Sequence, residues 1–145
     1  MRPGTFHSCW LTIAMLALST AAAGDWEPSE IVGLTYPWLA KSARVTGIVV
    51  VRLFVAPDGS VTEAKAVSGH PLLTEAARKN AEKWKFTRSG QDPDGVGEAY
   101  LVYRFALEGS CAGRDCRTSF IVELPNLVVV TSEIPPIQVS QSKPR

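Results

Sequence analysis

Residues 48–55 read Ile48-Val49-Val50-Val51-Arg52-Leu53-Phe54-Val55, with Gly47 before them and Pro57-Asp58-Gly59 after. The run is apolar, rich in β-branched side chains and too short for an isolated helix, so it predicts a strand. Pro57 presets the φ of a first turn corner and Gly59 accepts positive φ, so the chain reverses here. The return arm, Ser60-Val61-Thr62-Glu63-Ala64-Lys65-Ala66-Val67-Ser68, is more polar, which puts the first arm inside a sheet and the second nearer solvent. Val49, Val51, Leu53 and Val55 share one face by the two-residue period, and Arg52 marks the other as wet. The alternation of the return arm slips where Glu63 and Lys65 fall between Val61 and Val67. A bulge near Ala64, or an edge strand with a thin apolar face, accounts for the slip.

The flanking segments are suited to cover the Val49 face. From Tyr36 a short helix is predicted, with Pro37 at its first position and Gly47 at its exit. Leu39, Ala40 and Ala43 fall on one side of it, with Lys41 and Arg44 turned away. Ser68-Gly69-His70-Pro71 punctuates the chain before a second helix, in which Leu73, Ala76, Ala77, Asn80, Ala81 and Trp84 recur at helical spacing. Glu75 and Lys79 form an attractive i,i+4 pair on its wetted side. The alanine-rich stripe lets this helix sit close to a sheet, and Trp84 fills the far end.

The C-terminal half is read as β-structure. After Phe86, residues 87–97 are rich in Gly, Asp and Pro and predict a loop. Residues 98–107 alternate, with Ala99, Leu101, Tyr103, Phe105 and Leu107 on one face and Tyr100, Val102, Arg104 and Ala106 on the other. Residues 117–124 offer another strand with Phe120 and Val122 inward, and 127–131 a further one beyond Pro125-Asn126. Residues 24–33 read as a lead-in arm whose Trp26 packs back on the domain, and 133–145 as a flexible tail.

At 145 residues the chain has room for one domain, here 34–132, with a real core. Its 46% apolar and 20% charged residues are ordinary for a globular protein. The formal net charge of +1, with scattered Lys and Arg, argues against nucleic-acid binding, which needs clustered cations. Residues 1–23 read as a cleavable secretory signal: Arg2 at the start, an apolar stretch from Trp10 to Leu18, then Ala21-Ala22-Ala23. The chain is expected to be exported, the alternative being an inner-membrane anchor over 8–23. That apolar run falls short of the roughly 20 residues of a bilayer span. Signal removal discards Cys9 and leaves Cys111 and Cys116, and in an oxidising compartment they predict a disulfide closing a second hairpin. Two thiols with no nearby His make only half a zinc site.

Tyr36-Pro37 with Ala40, Gly47 opening a Val-rich strand, Asp58-Gly59-Ser60-Val61, Val67-Ser68-Gly69-His70-Pro71-Leu72-Leu73, Ala76-Ala77 and Trp84-Lys85-Phe86 together resemble the TonB C-terminal domain family over about 34–107. The resemblance implies an α+β fold: an antiparallel sheet of three to five strands with two helices packed on one face. It also implies periplasmic binding to a short extended segment of outer-membrane receptors, in transmembrane transport driven by an inner-membrane motor complex. The physical mode is strand addition, in which main-chain hydrogen bonds at a sheet edge supply affinity. By position the matching edge is 98–107, with Tyr100, Val102 and Arg104 as candidate side chains beside a bound peptide. The sequence differs from the full-length pattern in lacking an evident uncleaved anchor helix and a long Pro-rich spacer. It also continues past the last family strand, so the alternative is a structural or oligomerising envelope domain whose extra strands cap that edge or pair between two copies in a homodimer.

Competing chemistry finds little support. His70, between Gly69 and Pro71, reads as a helix-entry residue because no ligand cluster surrounds it. Asp58, Asp92 and Asp94 lack the oxygen-ligand spacing of a calcium loop and read as turn residues. Ser68-Gly69-His70 lacks the glycine pattern of a nucleophile elbow. No acid, base and nucleophile converge, so neither an enzyme nor a cofactor is expected.

Overall fold

A computed structural model describes residues 26–88, 97–112 and 115–137. The expected signal at 1–23, most of the Gly/Asp/Pro-rich loop with Asp92 and Asp94, and 138–145 of the expected tail lie outside these residues. The elements are β1 (Trp26–Glu30), α1 (Trp38–Ser42), β2 (Gly47–Val55), β3 (Val61–Ser68), α2 (Pro71–Ala81), β4 (Lys85–Arg88), β5 (Gly97–Ser110), β6 (Thr118–Glu123) and β7 (Leu127–Ile134). β1 and β4 form a two-stranded sheet, and the main sheet runs β3-β2-β5-β7-β6. The class is α+β with both helices on one face, as expected. The five-stranded sheet is mixed, however, because β5 and β7 run parallel.

The apolar arm β2 lies inside the sheet, paired antiparallel to β3 and, from Gly47↔Phe105 to Val55↔Gly97, to β5. Its Val49, Val51, Leu53 and Val55 are fully buried, joined by Leu101, Tyr103 and Phe105 of β5 and by Val128 and Val130 of β7. α2 lies over them with Leu73, Ala77 and Ala81 buried. His70 caps α2: its Nδ1 accepts from the Leu72 N–H at 3.2 Å, and Pro71 follows in the first turn. On the wet side Glu75 pairs with both Lys79 and Arg78, which lower its carboxyl to about 2. In the β2–β3 turn the Asp58 carboxylate accepts from the Ser60 N–H (3.0 Å) and hydroxyl (2.6 Å), which depresses its pKa. Gly59 has φ +84°, and a Cβ there would lie 2.0 Å from the Phe86 carbonyl oxygen, so only glycine fits.

Several expectations are corrected. α1 is a single turn ended at Arg44 (φ 54°), too short to sustain an amphipathic stripe. Ala40 is buried as expected, but Leu39 is 67% exposed, whereas Lys41, read as outward, is only 5% exposed with its ammonium 5.6 Å from the Trp38 ring centroid. The lead-in arm contains strand β1, pinned by buried Trp26. Gly97 makes room for that indole, since a Cβ there would lie 1.9 Å from the ring nitrogen. The expected tail is ordered at its start, because β7 continues to Ile134. The register of β3 breaks opposite Val50/Val51 and, near Ala64, opposite Phe54/Val55, and β3 is also an outer strand with Ala64 as its one buried residue, so both accounts of its slipping alternation apply.

Cys111 and Cys116 form a disulfide with Cα atoms 5.2 Å apart. It does not staple a hairpin of paired neighbours, because β7 returns between β5 and β6. Leu127-Val128-Val129-Val130 is apolar without alternation, the pattern of a strand flanked on both sides, whereas β6 alternates and takes the rim. The bridge still restrains the end of β7, since the Cys111 N–H donates to the Ile134 carbonyl at 3.1 Å. Reduction is expected to destabilise the fold by about 2 kcal/mol on chain-entropy grounds. Thermal melting with and without dithiothreitol measures it, and an unchanged curve from protein with free thiols would refute it.

Two buried tyrosines set an alkaline limit. The Tyr36 hydroxyl donates to the Val45 carbonyl at 2.5 Å, and burial pushes its pKa from 10.0 to about 12. Burial also raises Tyr103, whose hydroxyl donates to Asn80 Oδ1 at 2.9 Å. Folding favours the neutral phenols, so this contribution is complete below the unfolded value near 10.0 and is lost as pH rises through the folded values. Denaturant midpoints are expected to fall above pH 10.0, and to fall less steeply in a Tyr36→Phe/Tyr103→Phe variant.

Candidate protein-binding edge and face

The helices cover one face of the sheet and leave the other free among the described residues. Tyr100, Val102 and Arg104 stand on that free face of β5, as alternation predicts; Tyr100 is 46% exposed and Arg104 is exposed. Cross-strand register sets each in a row. Tyr100 lies opposite Arg52, Val102 between Val50 and Leu127, and Arg104 between Ile48 and Val129, the last of which neighbours Ile121 of β6. Arg52 forks onto both carboxylate oxygens of Glu98 and places its guanidinium 4.9 Å from the Phe54 ring centroid. The face therefore combines exposed apolar side chains, including Ile48 and Ile121, with Tyr100 and Arg104. Ile48, Leu127 and Val129 were not singled out as site residues, although the two-residue period through Ile48, Val50 and Arg52 carried the signal.

The backbone edge is a different matter. Of the two expectations for the 98–107 edge, open to a peptide or capped by the added strands, the second holds along 102–107: β7 pairs with it in a parallel ladder running from Val102↔Leu127 to Leu107↔Ser132 and on to Ser110↔Ile134. The Val102 N–H donates to the Asn126 carbonyl at 2.9 Å. The cause is the buried Val128 and Val130, which would be wet if β7 left β5. On that side 97–101 of β5, and Glu108 and Gly109 at the register break, have no strand partner among the described residues. At the start of β6 and the end of β7, an open groove of about 460 Å³ is lined by Glu108, Arg117, Thr118, Ser119, Thr131, Ser132 and Glu133. Among the described residues no group of three or more His, Cys, Asp or Glu side chains could hold a metal ion. No described helix is long and apolar enough to cross a membrane.

The fold is thus a helix-backed α+β sheet with one bare face and an outer strand at each side. A family profile described as Gram-negative bacterial TonB protein C-terminal matches residues 32–106, and the chain belongs to that family. Its members are non-enzymatic protein-interaction domains of the Gram-negative envelope, connected with transport and with envelope proteins such as outer-membrane receptors. No curated protein matches the chain. The match begins just after β1 and ends within β5, so the disulfide, β6 and β7 all lie beyond it.

Proposed function

We propose that this chain is an exported, periplasmic TonB-like binding module without catalytic activity, which recognises an extended segment of an outer-membrane receptor or another envelope protein by strand addition. Tyr100, Val102 and Arg104 are the proposed side-chain contacts. The observation that supports this reading most is β7 itself. An extended segment from outside the family match pairs along β5, so the edge is shaped to accept a strand, and a partner would supply in trans what β7 supplies in cis. The same pairing favours a second reading, a structural envelope domain whose added strands close the edge permanently.

The two readings are separated by comparing the intact chain with one truncated after Cys116, checked for folding by circular dichroism. Each is titrated with synthetic segments from the periplasmic ends of outer-membrane receptors. Strand addition predicts binding that strengthens on truncation, with amide shifts along 102–107. Binding by neither folded form removes the recognition reading.

A further inference from the structure

We infer that the rim of β6 is a self-association surface, to which a second copy of this chain adds its own β6 antiparallel about a two-fold axis at Phe120, joining two sheets into one. The inference is independent of what β5 recognises. β3 and β6 are the outer strands of the main sheet, and they differ as edges. β3 has two register breaks and carries the Glu63–Lys65 pair, features that spoil a flat edge. β6 pairs with β7 without a break from Thr118↔Ser132 to Glu123↔Leu127. Its Thr118-Ser119-Phe120-Ile121-Val122 holds no charge, Pro or Gly, so nothing in it discourages a further strand.

Ladder geometry gives the groups on offer. The Glu133 N–H donates to the Arg117 carbonyl at 3.0 Å, so residue 117 and each second residue after it turn their backbone groups toward β7. Thr118, Phe120 and Val122 therefore aim one N–H and one C=O apiece at the open rim. An antiparallel copy that satisfies all of them sets Phe120 against its own equivalent and Thr118 against Val122. On the outer face Ser119 then meets Ile121, which is 55% exposed in the single chain.

Charge selects this register and this occupant. Arg117 and Glu123 flank Phe120 symmetrically, both are exposed, and neither side chain has an ion pair among the described residues. The two-fold axis sets each Arg117 against the other copy's Glu123, twice over. Sliding by two residues keeps the outward groups matched but faces Arg117 with Pro125 and Glu123 with Ser119, losing both pairs. A strand with opposite charges placed symmetrically about its midpoint is complementary to itself.

Sedimentation equilibrium of the full exported chain over a concentration series tests this, with melting curves confirming that each variant folds. A dimer is expected whose dissociation constant rises about tenfold in Arg117→Glu and in Glu123→Arg, because two cross-strand attractions become repulsions. The double exchange Arg117→Glu/Glu123→Arg is expected to restore it. Amide exchange at Thr118, Phe120 and Val122 should slow with concentration. A monomer throughout, a dimer indifferent to both single reversals, or protection gained at β3 instead would overturn the inference.

Discussion

Replacing Trp84 by alanine is expected to lower the unfolding free energy by about 3–5 kcal/mol, the range for removing a large buried aromatic side chain. The indole is 1% exposed, closes the end of the helix layer and stacks on Phe86 with ring centroids 6.3 Å apart. Its Nε1–H faces the Val32 carbonyl (3.2 Å) and Asn80 Oδ1 (3.1 Å), so truncation leaves a cavity and also loosens the segment before α1. Urea denaturation of the wild type and variant measures the difference. Half-exposed Trp38 serves as the control, with Trp38→Ala expected to change stability by no more than about 0.5 kcal/mol. Equal effects at the two tryptophans would contradict the packing described.

The second large effect is expected at Asn80, a buried amide with every polar atom engaged. Its Nδ2 donates to the Val32 (2.9 Å) and Gly33 (3.1 Å) carbonyls, and its Oδ1 accepts from the Tyr103 hydroxyl and the Trp84 indole. The amide thus ties the chain before α1, the helix α2 and the strand β5 into one polar knot inside an apolar core. Asn80→Ala is expected to cost about 3 kcal/mol, because the Tyr103 hydroxyl loses its acceptor where water does not reach and the bonds to the Val32 and Gly33 carbonyls go with the amide. Tyr103→Phe made in the Asn80→Ala background should cost less than the same change in the wild type, since the orphaned hydroxyl goes with it. Additive costs in that double-mutant cycle would refute the network.

These two residues also show where sequence reading succeeds. The recurrence of Leu73, Ala76, Ala77, Asn80, Ala81 and Trp84 at helical spacing predicts one inward stripe; α2 buries Leu73, Ala77, Asn80 and Ala81 and half-buries Ala76, and Trp84 is buried just past its end. The sequence could not show that Asn80 reaches Val32 and Tyr103, because hydrogen bonds between residues far apart leave no periodic trace. The bare face of β5 was likewise legible from alternation, whereas the state of its rim was not.

The amino-acid sequence by itself determined the local elements: an apolar arm turning at Asp58-Gly59, a helix entered through His70-Pro71, an alternating strand through Tyr103, and a family resemblance carried by those motifs. It determined them because backbone preferences and burial patterns act over a few residues at a time. Only the tertiary structure decided that β7 passes between β5 and β6, closing one edge and leaving another bare. Which strands become neighbours depends on how much apolar surface each pairing buries, and that comparison is made across the whole sheet rather than within any one segment.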